Sequence, residues 1–117
     1  MKASKGNDLK LENKELSQID LWKQEYGKIF KSIIGDDDYI FRRIKRQEYS
    51  QIMAIRDGED VEERIFNRQV AIAKATVLNV EEDILMERMN ELAGLAPTIS
   101  DEVLNKSGFQ LIATMEL

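Results

Sequence analysis

Apolar residues are sparse at the start of the chain, where lysine, asparagine and acidic residues alternate over residues 1 to about 15, and they begin to recur from Leu16. So little burial cannot offset the entropy of ordering, and the stretch reads as a flexible N-terminal arm (1–15) before a single domain (16–117). Ser17 predicts a helix N-cap with Asp20 in the first turn, flanked by a staple of Leu16 and Leu21, and Gly27 closes the element after Trp22 and Tyr26. Beyond it the period changes. Lys28 to Ile34 and Tyr39 to Ile44 are β-branched and aromatic, with Gly35-Asp36-Asp37-Asp38 between them, which predicts a β-hairpin. Alternation puts Ile40, Arg42 and Ile44 on one face and Tyr39, Phe41 and Arg43 on the other, so one mixed face is expected to stay half exposed. Two strands alone are marginal in water and must lean on helices or on a partner's sheet.

Helical spacing returns from Arg46, with Tyr49, Ile52 and Met53 on one side, as far as Arg56 and the stop at Asp57-Gly58. Asp60 with Glu63 marks a second start, and Val61, Ile65, Phe66, Val70, Ala73 and Val77 carry the strongest core stripe to about Leu78. Asn79, with Glu82 reaching back, is expected to cap a further helix with a stripe of Leu85, Met89 and Leu92 and a stop at Gly94. The two long helices should then pack as a helical hairpin, leaving Met86 off the stripe as a candidate for contacting a partner, with core filling the commoner role of such methionines. After Leu95-Ala96-Pro97, Thr98 and Asp101 predict a last short helix. Gly108 suits a left-handed cap there, with Phe109 folding back on Leu104. The tail from Gln110 to Leu117 is apolar enough to pack or to add a strand. The expected fold is α+β and mainly helical: an N-terminal helix, one β-hairpin, then three to four helices.

Composition narrows the chemistry more than the fold. The chain has no histidine and no cysteine, which removes the commonest general base and metal ligand, thiolate nucleophiles and any disulfide framework. Carboxylates are plentiful, but Glu59-Asp60, Glu62-Glu63 and Glu81-Glu82-Asp83 fall in helix first turns, where the macrodipole favours them. Asp36-Asp37-Asp38 has turn propensity without the alternating ligands and closing glutamate of a calcium loop. Glu12-Asn13-Lys14 resembles a nuclease triplet but lies in the arm. The expectation is therefore no enzyme, no catalytic residue, no cofactor and no metal. No apolar run is long enough for a membrane span and the polar N-terminus lacks a signal-peptide core, so an intracellular protein without membrane association is expected.

With a formal net charge of −5, any nucleic-acid binding would have to be local, and Arg42-Arg43-Ile44-Lys45-Arg46 is the place for it. The same strip beside aromatics suits a protein interface, which favours arginine and tyrosine. The candidate partner-binding residues are Phe41, Arg42, Arg43, Arg46, Tyr49 and Met86. For Phe41 and Tyr49 a place in the core is the equal alternative.

The order of features also resembles a known family. A tryptophan-bearing helix runs into Glu25-Tyr26-Gly27-Lys28-Ile29-Phe30, followed by Phe41-Arg42-Arg43-Ile44-Lys45-Arg46-Gln47-Glu48-Tyr49 and a closing Ser107-Gly108-Phe109. This resembles small tail and baseplate assembly proteins of tailed bacteriophages, those related to the T-even baseplate hub assembly protein. These show a glycine-isoleucine-aromatic strand, an arginine-proline-leucine-threonine-arginine-x-glutamate-tyrosine segment and a C-terminal helix before Ser-Gly-Phe. The likeness spans about residues 20 to 109; Arg43 stands at the usual proline and Lys45 at the usual threonine. It implies a non-catalytic factor that binds phage tail or baseplate structural proteins, as an assembly chaperone or small virion component, in the host cytoplasm or the virion. A nucleic-acid-binding regulator and a phage-encoded inhibitor of a host protein are the alternatives.

Overall fold

The computed structural model describes residues 17–109 and 114–117, so the expected arm and the start of the tail lie outside the described residues. Its elements are α1 (residues 17–26), β1 (Ile29–Ile34), β2 (Asp37–Arg42), α2 (Arg46–Met53), α3 (Val61–Thr76), α4 (Glu82–Glu91) and α5 (Leu95–Lys106). The fold is α+β and mainly helical, with one hairpin.

Ser17 is already helical, so the N-cap expected there does not form. Gly27 does close α1: at φ 81 it turns left-handed, and its N–H donates to the Lys23 carbonyl at 2.8 Å. The hairpin turn is tighter than the sequence suggests. Ile34 pairs with Asp37 and Ile33 with Asp38, which leaves only Gly35-Asp36 in the turn. Gly35, at φ 64, holds the first central position of a two-residue turn, where a positive φ matches the twist of the strands.

The outer edge of β2 is closed by the segment after α3. Phe41 bridges to Val77, the Leu78 N–H donates to the Ile40 carbonyl at 2.8 Å, and the Ile40 N–H donates to Asn79 Oδ1 at 2.8 Å. Asn79 Nδ2 completes the set by donating to the Asp38 carbonyl at 3.0 Å. Asn79 is therefore not the cap expected for α4, whose N-cap is Glu81. Its side-chain amide stands in for a strand's peptide unit, a role the local sequence does not signal. Asn79→Ala should cost about 1–2 kcal/mol, because two backbone groups lose their partners. A lower denaturant midpoint at unchanged m-value would register the loss.

Proline explains the largest departure from the expected helices. Pro97 lies in the third position of α5, where the backbone N–H has no intrahelical acceptor, so the helix can start at Leu95 ahead of it. The longer helix buries Leu95, Ala96, Ile99, Ser100 and Val103, and α3 packs chiefly on α5 instead of forming a helical hairpin with α4. Leu85 and Met89 of α4 are buried as expected, whereas Leu92 falls past the last helical residue and is 55 % exposed. Thr98 caps nothing; its hydroxyl donates to the Gly94 carbonyl. α5 ends in the anticipated Schellman closure: Gly108 sits at φ 102, and the Phe109 N–H donates to the Leu104 carbonyl at 3.1 Å. Residues 114–117 are exposed and form no strand.

α3 starts at the predicted Asp60, whose Oδ1 accepts the Glu63 N–H at 2.8 Å. The return bond from Glu63 goes to the Glu59 N–H, one residue earlier than in the standard box. α2 stops at Met53, short of Arg56, and arginines take carbonyls at and after its end: Arg56 donates to Met53 O, and Arg68 donates to Ile55 O through two nitrogens. The core joins Tyr39 and Phe41 of the hairpin to Ile72 and Ala73 of α3, Leu85 and Met89 of α4, and Ile99 and Val103 of α5.

Candidate protein-interaction surface

The fold separates the basic strip into one internal residue and three outward ones. Arg42 closes β2, and its guanidinium forms a two-pronged pair with Glu48 of α2, NH1 to Oε1 at 2.8 Å and NH2 to Oε2 at 2.6 Å. NH2 also donates to the Ala75 carbonyl in the last turn of α3 at 2.8 Å, and NH1 to the Arg43 carbonyl at 3.0 Å. The guanidinium lies 5.4 Å from the centroid of the Tyr26 ring. Arg42 thus fastens the hairpin, α1, α2 and the negative end of the α3 dipole together. Its hydrogen bond to Glu48 holds its pKa above the ordinary value against the opposing effect of burial; the same bond holds the Glu48 carboxyl below its own. Glu48 Oε1 accepts the Lys45 N–H as well, which starts α2 although lysine stands where a capping hydroxyl is usual.

Phe41 is 1 % exposed and stacks on Phe30 at 5.6 Å between ring centroids. Of the two roles open to it, Phe41 takes the core one and forms no part of the candidate surface. The strand face it shares with Tyr39 is the one pressed on the helices, whereas Arg43 lies past the end of β2 and escapes the alternation. Arg42 likewise spends its donors internally. Met86, expected to reach a partner, is only partly exposed and packs against the core.

Arg43, Lys45 and Arg46 are exposed, and among the described residues none of them forms an ion pair. Arg43 and Lys106 of α5 both lie over the Phe30 ring, at 5.6 and 5.7 Å from its centroid. Tyr49 is half-buried and rests on Phe109 at 4.7 Å between centroids. Ser107 joins the two parts: its hydroxyl accepts the Ile44 N–H at 2.9 Å and donates to the Val103 carbonyl at 2.6 Å. Arg43, Lys45, Arg46 and Lys106 thereby flank a patch with Phe30, Tyr49 and Phe109. Phe30 stands in the sequence only as part of a strand and of the family signature, and Lys106 carries no signal, because their meeting depends on α5 returning to the open end of the hairpin. Phe109 could be anticipated as a helix closure but not as the neighbour of Tyr49.

Other features are less developed. Among the described residues no cluster of three acidic side chains could hold a metal ion, and no helix is long and apolar enough to cross a membrane. A shallow groove between α3 and α5 is lined by Met53, Ile65, Ile72 and Leu104, and another lies between α1 and the hairpin at Ile19, Trp22, Lys31 and Ile40. What fold and surface define is a mainly helical α+β module with a cation-aromatic patch at the open end of its hairpin. No protein-family model, curated protein or solved structure matches the chain.

Proposed function

We propose that the chain is a non-catalytic protein-binding factor of bacteriophage tail or baseplate assembly, an assembly chaperone or small virion component acting in the host cytoplasm or the virion. It engages tail or baseplate structural proteins through Arg43, Arg46, Tyr49, Lys106 and Phe109. One observation carries the reading: the segments behind the family resemblance converge on one joint. Ile44 bonds Ser107, Tyr49 rests on Phe109, and Arg43 and Lys106 share Phe30, so these segments, far apart in sequence, build one mixed cationic and aromatic surface.

The exposed cations, which form no ion pair among the described residues, also favour a second reading, a nucleic-acid-binding regulator. Co-expression with the products of neighbouring reading frames, followed by nuclease treatment and affinity capture, separates the two. Capture of a tail or baseplate protein that survives nuclease and weakens about tenfold or more in the Arg43→Ala/Phe109→Ala double variant is expected. Binding only to DNA or RNA, falling steeply with added salt, would overturn it; capture of a host enzyme instead would indicate an inhibitor.

A further inference from the structure

The hairpin has two outer edges, and among the described residues only that of β2 is closed. In a hairpin with a two-residue turn, Ile34 and Asp37 exchange hydrogen bonds, so the bonded pairs recur at Ser32 with Tyr39 and at Phe30 with Phe41. Ile29, Lys31 and Ile33 then turn their N–H and C=O groups to the outer edge of β1, as Asp38 and Ile40 do on β2. On β2 Leu78 takes the Ile40 carbonyl, and Asn79 takes the Ile40 N–H and the Asp38 carbonyl. On β1, among the described residues, nothing takes them. The side chains there are accessible: Ile33 is 70 % exposed and Lys31 is also exposed.

We propose that the free edge of β1 is a strand-addition site that takes an extended segment of a partner protein in which acidic and apolar residues alternate. The inference rests on the protein-binding reading and names a main-chain docking edge for it. Charge selects the occupant. β1 and the residue before it carry Lys28 and Lys31 and no carboxylate, and the nearest acidic partner of Lys31 is Asp38 at 4.0 Å, itself largely exposed. A second copy of the chain fits poorly, because the antiparallel register that pairs all the outward residues, Ile29 with Ile33, would set Lys31 directly opposite its own copy. An acidic residue opposite Lys31, with apolar neighbours on Ile29 and Ile33, satisfies charge and burial together.

The test uses the full chain and a synthetic peptide of alternating valine and glutamate, with the lysine-for-glutamate peptide as its counterpart, read by residue-resolved amide exchange. The acidic peptide should slow exchange about tenfold at Ile29, Lys31 and Ile33 and leave the already bonded Phe30, Ser32 and Ile34 unchanged. Ile33→Pro removes an outward N–H without touching the inward ladder, so it should weaken binding about tenfold while circular dichroism stays unchanged. Should that variant unfold, Lys31→Glu serves instead, with a switch of preference to the lysine peptide expected. Equal binding of both peptides, protection of the outward amides before any peptide is added, or protection confined to residues 43–46 would overturn the proposal. The last outcome would leave the protein-binding reading standing. Conversely, edge protection by the peptide together with failed capture of any tail or baseplate protein would sink the assembly role alone.

Discussion

Phe41→Ala is expected to cost about 3–5 kcal/mol, roughly a fifth or more of the stability of an ordinary small domain. The ring is 1 % exposed, stacks on Phe30, and belongs to the residue that bridges to Val77, so its loss opens a void where the hairpin meets the helices. Phe41→Leu keeps much of the volume and should cost only about 1–2 kcal/mol. Urea denaturation followed by circular dichroism gives both values. The same experiment separates the two roles open to this residue in the sequence: a variant that bound its partner poorly at an unchanged midpoint would return Phe41 to the surface. Partner binding should instead follow Arg43 and Phe109, whose side chains remain accessible.

Most local signals in this sequence were readable, the Ser17 and Thr98 caps excepted, and long-range ones were not. Asp60 with Glu63, Gly27 and the Gly108-Phe109 closure each form within one turn of chain, so residue type and spacing were enough to place them. The strand assignment survived as well, because β-branched runs on both sides of a glycine leave few alternatives; only the turn contracted, to Gly35-Asp36. Asn79 shows the opposite case. An asparagine ahead of Glu82 is a sound cap by local rules, but the unpaired edge of β2 outbids the helix, and no local rule announces that edge. The candidate surface was half readable for the same reason. A run of cations says nothing of which will be paired, and Glu48, which decides the matter for Arg42, was expected only as part of a helix and of a family signature. Lys106 and Phe30 meet through the return of α5, a consequence of packing against α3.

The pair of Arg42 and Glu48 supplies the second large effect and gives it a pH signature. Arg42→Ala removes both prongs of the pair, takes the guanidinium donor from the Ala75 carbonyl and leaves a partly buried carboxylate with only the Lys45 N–H. Breaking a fully buried pair costs about 3–5 kcal/mol. Here the Arg42 side chain is 12 % exposed but that of Glu48 is 30 % exposed, so solvent recovers part of the loss and about 2 kcal/mol is expected. Because Arg42 holds the folded Glu48 carboxyl below its ordinary value of 4.5, the folded state binds this proton less readily than the unfolded chain. The stabilisation is therefore complete above that value and disappears as pH falls through the lower, folded one. The raised pKa of Arg42 works in the opposite sense, and its stabilisation is lost only in strong alkali. Glu48→Gln, which keeps an acceptor for the Lys45 N–H, should be less stable than wild type near neutrality, with the difference shrinking as the solution is acidified below about pH 4.5. Thermal melts of the two proteins across that range provide the comparison, and a difference independent of pH would show that the bond contributes through its geometry and not through its charge.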